Sequence, residues 1–242
     1  MERKLDVGAT LRQVFQTYGE QAGVLLPVAF CLYLIVAVVT ALLAGSFALF
    51  PLVFAVGVVA ATLYQGMVVG LVKDVQDGRR DSSVGELVSA TWPVVLPLIG
   101  AGLLSGIAIG IGMFLLVIPG LILLTIWAVI APVIVVEHKG VIAAFGRSRE
   151  LVRGNGWQVF GVIFTVFVIT AVVSFVLAVI GAAIAKGVGM RILANLISSS
   201  ITAPIGALAA ATIYFGLLSA KAEPSTQPDA TGRSIAGSSA SA

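Results

Sequence analysis

Of 242 residues, 59% are hydrophobic and only 10% carry charge, and the mean hydropathy is +1.11. About a quarter of the residues in a soluble domain are charged, so a water-soluble fold of this length is excluded because it could not hide so much apolar surface. The 14 Lys and Arg exceed the 11 Asp and Glu by a net +3, but they are scattered through short connections between apolar runs, which points to membrane orientation and away from nucleic acid.

The chain begins with a polar segment, residues 1–22. Asp6 can cap a helix in which Val7, Leu11, Val14, Phe15 and Tyr18 recur at helical spacing, with Arg12, Gln13, Gln16 and Glu20 around the rest. Two readings fit this cytoplasmic amphipathic segment: a short helix lying on the membrane surface, or a helix packed on other protein. The first apolar run, residues 23–44, is longer than the ~7–15 residues of a secretory h-region, which favours an uncleaved span. Cys31 lies inside it and has no second cysteine to pair with.

A hydrocarbon core of about 30 Å takes roughly 20 helical residues, and this divides the chain into six spans. They are residues 23–44, 49–72, 94–118, 120–136, 157–182 and 193–219, with a disordered cytoplasmic tail over 220–242. The fold class is therefore all-α: a polytopic membrane helix bundle with short cytoplasmic amphipathic helices. None of the six runs contains Asp, Glu, Lys, Arg or His. Pro27, Pro51, Pro97, Pro132 and Pro204 fall within them and are expected to kink helices. The fourth run is the shortest and reads either as a tight outer turn or as a span that only just crosses.

Orientation follows from the basic residues. Arg3, Lys4, Arg12, Lys73, Arg79, Arg80, Lys139, Arg147, Arg149, Arg153, Lys221 and Arg233 fall on one side, and only Lys186 and Arg191 on the other. The positive-inside rule places both termini in the cytoplasm of a cell that inserts the chain in its inner membrane. A basic segment followed by two spans occurs three times. Val7-Gly8 aligns with Val84-Gly85, Leu11 with Val88 and Phe15 with Trp92, while Ser83 and Glu86 have capping-box spacing. A three-fold hairpin repeat and simple hairpin monotony both fit.

Along residues 141–153, Val141, Ala144, Phe145, Leu151 and Val152 share one helical arc, and Arg147, Arg149, Glu150 and Arg153 fill the other. Gly154-Asn155-Gly156 supplies a stop, and Trp157 opens the next span at the depth indole rings prefer. The basic arc with Trp157 can serve anionic lipid headgroups or a partner's acidic group, or simply orient and anchor the protein. Glu137, at the end of the fourth span, sits badly on a helix C-terminus unless a cation is near, so Arg147 or Arg149 is expected to fold back on it. A proton or metal site on Glu137 and His138 is the alternative. With one histidine and no HExxH or cysteine cluster, the sequence implies neither metal nor cofactor. Gly102, Gly106 and Gly110 form overlapping GxxxG frames, read as a helix-packing face against another span of the same chain. No nucleophile motif, phosphate loop or paired carboxylate is present, so no catalytic residue is assigned.

The segments IPGLILLTIW, APVIVVE and AAFGRSRELVRGNGWQVFG resemble the membrane domain found beside some bacterial glycerophosphodiester phosphodiesterases, and stand-alone uncharacterised membrane proteins of the same six-helix layout. Pro119, Gly120, Trp127, Pro132, Glu137, Ala144, Arg147, Ser148, Leu151, Gly154 and Trp157 carry the resemblance, which extends over residues 1–219 with its specific motifs confined to about residues 110–165. It implies a membrane module. The phosphodiesterase domain, with its acidic metal ligands and histidines, has no counterpart in these residues. Two function classes follow. One is a non-enzymatic scaffold or accessory protein engaging membrane protein partners or anionic lipid. The other is a permease or channel for a small neutral solute, with Gln65, Asn195, Ser198 and Ser199 as lining.

Overall fold

The computed structural model describes residues 4–43, 47–76, 85, 91–184 and 187–222. The Ser83 and Glu86 capping box, the alignment of Val84 and Val88 with the first segment, Arg3, Arg79, Arg80, Lys186 and the tail from residue 223 lie outside these residues. Eight α-helices carry the described chain: α1 Val7–Leu42, α2 Phe50–Gln76, α3 Val95–Leu115, α4 Val117–Ile126, α5 Ile130–Glu137, α6 Val141–Val152, α7 Gly156–Ile184 and α8 Val188–Ala222. Single 3-10 turns, Phe47–Leu49 and Trp92–Val94, lead into α2 and α3. No strand occurs among the described residues. Six stretches are long and apolar enough to cross a membrane, the α4 and α5 pair counting as one.

Asp6 caps α1 as its sequence position predicts, its Oδ1 accepting from the Ala9 amide at 3.1 Å. The amphipathic segment does not form a separate surface helix. It runs without a break into the first span, making one helix of 36 residues, about 54 Å long. Gly19 and Gly23 lie near the expected boundary, but a helical glycine costs only about 1 kcal/mol relative to alanine, too little to stop a helix that packing supports. Val14 is fully buried, Thr10 nearly so, and Val7 lies against Gly161 of α7. Of the two sequence readings of this segment, the helix packed on protein is the one found.

The central element is α8, which packs against α1, α7 and α2. Residues 207–214 are buried without interruption. By contrast α7 exposes Phe164, Phe167, Val172, Phe175 and Val179, a surface that only lipid or another membrane protein can solvate.

The expected proline kinks need correction at three of five sites. Pro27 and Pro204 do lie inside long helices. Pro51, Pro97 and Pro132 instead sit second or third in α2, α3 and α5, as Pro119 does in α4. First-turn amides have no acceptor within the helix, so a residue lacking N–H costs nothing there and its fixed φ starts the helix.

The fourth span is a broken helix. After an extended Leu116, α4 begins at Val117, three residues earlier than the apolar run suggests, and Pro119-Gly120 lies inside its first turn. Trp127, Ala128 and Val129 then separate α4 from α5. Pro132 accounts for the gap, since a continuous helix would press its ring on the Ala128 carbonyl and leave that carbonyl without a donor. The interruption is tolerated because Ile130, Ala131, Pro132, Val133 and Ile134 are all buried in protein.

Candidate functional site

The site forms where α5 ends, α6 turns back and α8 passes beside both. His138 adopts φ 50° and ψ 35°, a left-handed conformation that stops α5 one residue after Glu137. Gly140 then opens α6, which packs back on α5 and brings Arg147 to Glu137. Arg147 Nε donates to Glu137 Oε2 at 3.1 Å and to Oε1 at 3.2 Å. Lys139 Nζ lies 3.0 Å from Oε2, and the Tyr214 hydroxyl of α8 donates to Oε1 at 3.2 Å. Arg147 Nη1 also donates to Glu150 Oε2 at 3.0 Å, while Lys221 near the end of α8 donates to the Glu150 carbonyl.

Two cations and two carboxylates thus neutralise each other, with Glu137 largely shielded and Glu150 exposed. Burial opposes the Arg147 charge, but hydrogen bonds to Glu150 and Glu137 outweigh it and raise its pKa above the ordinary arginine value. Glu137 already serves three donors, which leaves little capacity for it to act as a base. His138 contributes its backbone turn, its side chain is exposed, and it joins none of these bonds. No group of three metal-ligating side chains exists among the described residues.

Arg149 and Arg153 are exposed and make no pair among the described residues, so of the two arginines expected to fold back only Arg147 does. Trp157 is 84% exposed, its ring edge-on to Phe160 at 6.0 Å.

Three polar contacts escaped the sequence reading. Ser148 Oγ donates at 2.8 Å to the carbonyl of Ile126, one of those that the break after α4 leaves without a helical donor. The Asn155 side-chain oxygen accepts from the Leu5 amide at 3.1 Å, tying the N-terminus to the turn before α7. Tyr214 is the third. A signal for Ser148 was available: it lies on the same arc as Ala144, Leu151 and Val152, and a polar residue on a buried face needs a partner.

The glycine face on α3 needs correction. Gly102 does pack tightly, on Thr62 of α2, but a Cβ at Gly106 or Gly110 would meet nothing within 4 Å among the described residues. The close approach lies instead at the hairpin of α3 and α4, where Gly112 faces the Gly120 backbone and a Cβ on Gly120 would come within 2.7 Å of the Met113 amide nitrogen. Of the four polar residues read as lining, only Asn195 and Ser199 share a groove. Asn195 and Ser199 border one open groove of about 310 Å³ beside α8 and Ser199 also borders a second of about 390 Å³, while Ser198 meets Ser174 at 3.4 Å and Gln65 borders neither groove.

Residues 42–223 match the family described as "Domain of unknown function (DUF7847)". The chain belongs to this family. It is also 39% identical over 113 residues to a UPF0259 membrane protein of Pectobacterium carotovorum subsp. carotovorum (strain PC1), a match covering 46% of this chain and 41% of that protein. Neither description refers to a glycerophosphodiester phosphodiesterase, so the association implied by the resemblance is not what these relatives show. No solved structure matches. Six apolar spans and these relatives make this DUF7847 member a multi-pass integral membrane protein.

Proposed function

We propose that the protein is a non-enzymatic accessory or scaffold module of the inner membrane, with both termini in the cytoplasm, that engages membrane proteins and anionic lipid. The observation that carries this reading is the closed packing of α8 over residues 207–214, directly beside a carboxylate whose charge is met by Lys139 and Arg147. Proteins that move ions or protons keep ionisable groups available in the membrane, whereas here the charge at the end of a span is spent on structure. A permease for a neutral solute is the second reading, favoured by the polar grooves at Ser199 and Asn195. Those grooves lie beside the packed stretch, and residues 207–214 oppose a path along α8.

Vesicle swelling with glycerol and urea separates the two. Vesicles holding the protein are expected to swell no faster than protein-free ones. Faster swelling that Ser199→Leu abolishes rejects the accessory reading in favour of the permease.

A further inference from the structure

A groove of about 570 Å³ opens between α4 and the start of α7, within the size range of about 300–1,000 Å³ that holds small molecules. Its walls are apolar: Leu121 and Ile122 on one side, Trp157 and Phe160 on the other. The Leu5 to Asn155 bond places Lys4 beside Gly154 and Gly156 at one rim, Gln158 also lines the groove, and Thr125, a further polar residue of the lining, donates its hydroxyl to the Leu121 carbonyl. Lys4 is exposed and forms no ion pair among the described residues. Among the described residues the nearest carboxylate along the chain is Asp6, whose Oδ1 accepts from the Ala9 amide as a helix cap. Arg153 precedes Gly154 in the chain but does not line the groove, so Lys4 is the cation of the lining. No acidic side chain among the described residues lines the groove.

We infer that this groove seats an anionic phospholipid, with one acyl chain along Leu121, Ile122 and Phe160 and its phosphate at Lys4 beside the Trp157 indole. Charge complementarity selects this occupant. The groove is uncharged along its length and cationic at one rim, which matches an amphiphile with an anionic head. A partner's transmembrane helix would satisfy the walls but leave the Lys4 ammonium unanswered. The exposed indole fits the same depth, since tryptophan concentrates at the headgroup level. Gly154, with φ 92°, holds a turn that a side-chain-bearing residue rarely adopts, and no side chain of its own covers the rim.

The inference rests on the accessory reading only in setting the chain against an anionic leaflet. Lipid retention is measured on the isolated full-length protein, so its failure is distinct from a positive swelling assay. The protein is reconstituted in equimolar phosphatidylglycerol and phosphatidylcholine, extracted mildly, and its retained lipid counted by native mass spectrometry. Phosphatidylglycerol is expected to be retained over phosphatidylcholine by about fivefold, the ratio one leaflet-facing cation contributes. Lys4→Gln should remove that preference without changing the melting profile, and Lys4→Glu should reverse it. Leu121→Trp fills the groove and should reduce retention of both lipids. Equal retention of the two lipids by the native protein, a preference that survives Lys4→Gln, or retention unchanged in a folded Leu121→Trp variant each overturns the assignment.

Discussion

Glu137 ends α5, where the helix dipole disfavours a carboxylate, and Lys139, Arg147 and Tyr214 answer that unfavourable placement. Removing the charge by Glu137→Gln leaves Lys139 without its partner and Arg147 with Glu150 alone. The cost is expected to be about 1–2 kcal/mol, the range of charge-assisted hydrogen bonds discounted for partial exposure. Arg147→Gln should cost a similar amount, and the double variant about 1 kcal/mol less than the sum, because residues in contact are not additive. Unfolding in mixed micelles measures the cycle, and strictly additive losses reject the coupling. Ser148→Ala tests the neighbouring contact. It leaves the Ile126 carbonyl without that donor inside a packed interface, and a loss of about 1–3 kcal/mol is expected by the same measurement. A loss below 0.5 kcal/mol, the scale of a surface substitution, shows that the hydroxyl does not bridge the break (~0.5 kcal/mol). The Glu137 and Arg147 pair was legible because charge at a helix end makes a local demand that nearby residues can meet. Tyr214 was not, since it comes from α8, 77 residues away, and no local pattern encodes that approach.

At the scale of elements, hydropathy located the six apolar stretches because lipid solvates length and composition. It could not reveal which face of each span meets protein, since a helix apolar all round has no contrast to read. This is why the Gly102, Gly106 and Gly110 frames misled. Of the three, only Gly102 has a neighbour at Cβ distance among the described residues, whereas Gly120, hidden beside a proline, lies against Met113. The two sites therefore respond oppositely. Gly106→Leu should leave folded yield in detergent unchanged, with the better helix propensity of leucine acting in its favour. Gly120→Leu must push α3 from α4 and should sharply reduce yield, because lost close packing has no hydrophobic compensation in lipid. Equal yields for the two variants contradict the hairpin packing. The continuity of α1 was hidden for a related reason: polarity changes near residue 22 while the backbone hydrogen bonding does not, and pattern reports the solvent around a helix, not where it stops.

Across the whole molecule, the ion pairs formed by Glu137, Lys139, Arg147 and Glu150 lie at one end of the bundle, where further polar contacts join them. Leu5 bonds to Asn155, Lys221 to Glu150 and Arg147 to Glu137, so the N-terminus, α6 and the end of α8 are joined at that end. Arg191 borders a groove with Thr40 beside the opposite ends of α8 and α1. This separation of charge bears on insertion. If the basic end is retained in the cytoplasm, reporter domains fused after Gln76 and after Ala222 should both register cytoplasm, and one inserted at Gly187, in the turn between α7 and α8, the opposite face. The measurement is paired alkaline phosphatase and fluorescent protein activity, which respond in opposite senses to the two compartments. Because long loops translocate regardless of charge, the decisive variant alters short segments only: Lys139→Glu with Arg149→Glu and Arg153→Glu should reduce the fidelity of the Gly187 report. An external signal after Gln76 in the native sequence overturns the orientation, and with it the assignment of the Lys4 rim to the cytoplasmic leaflet.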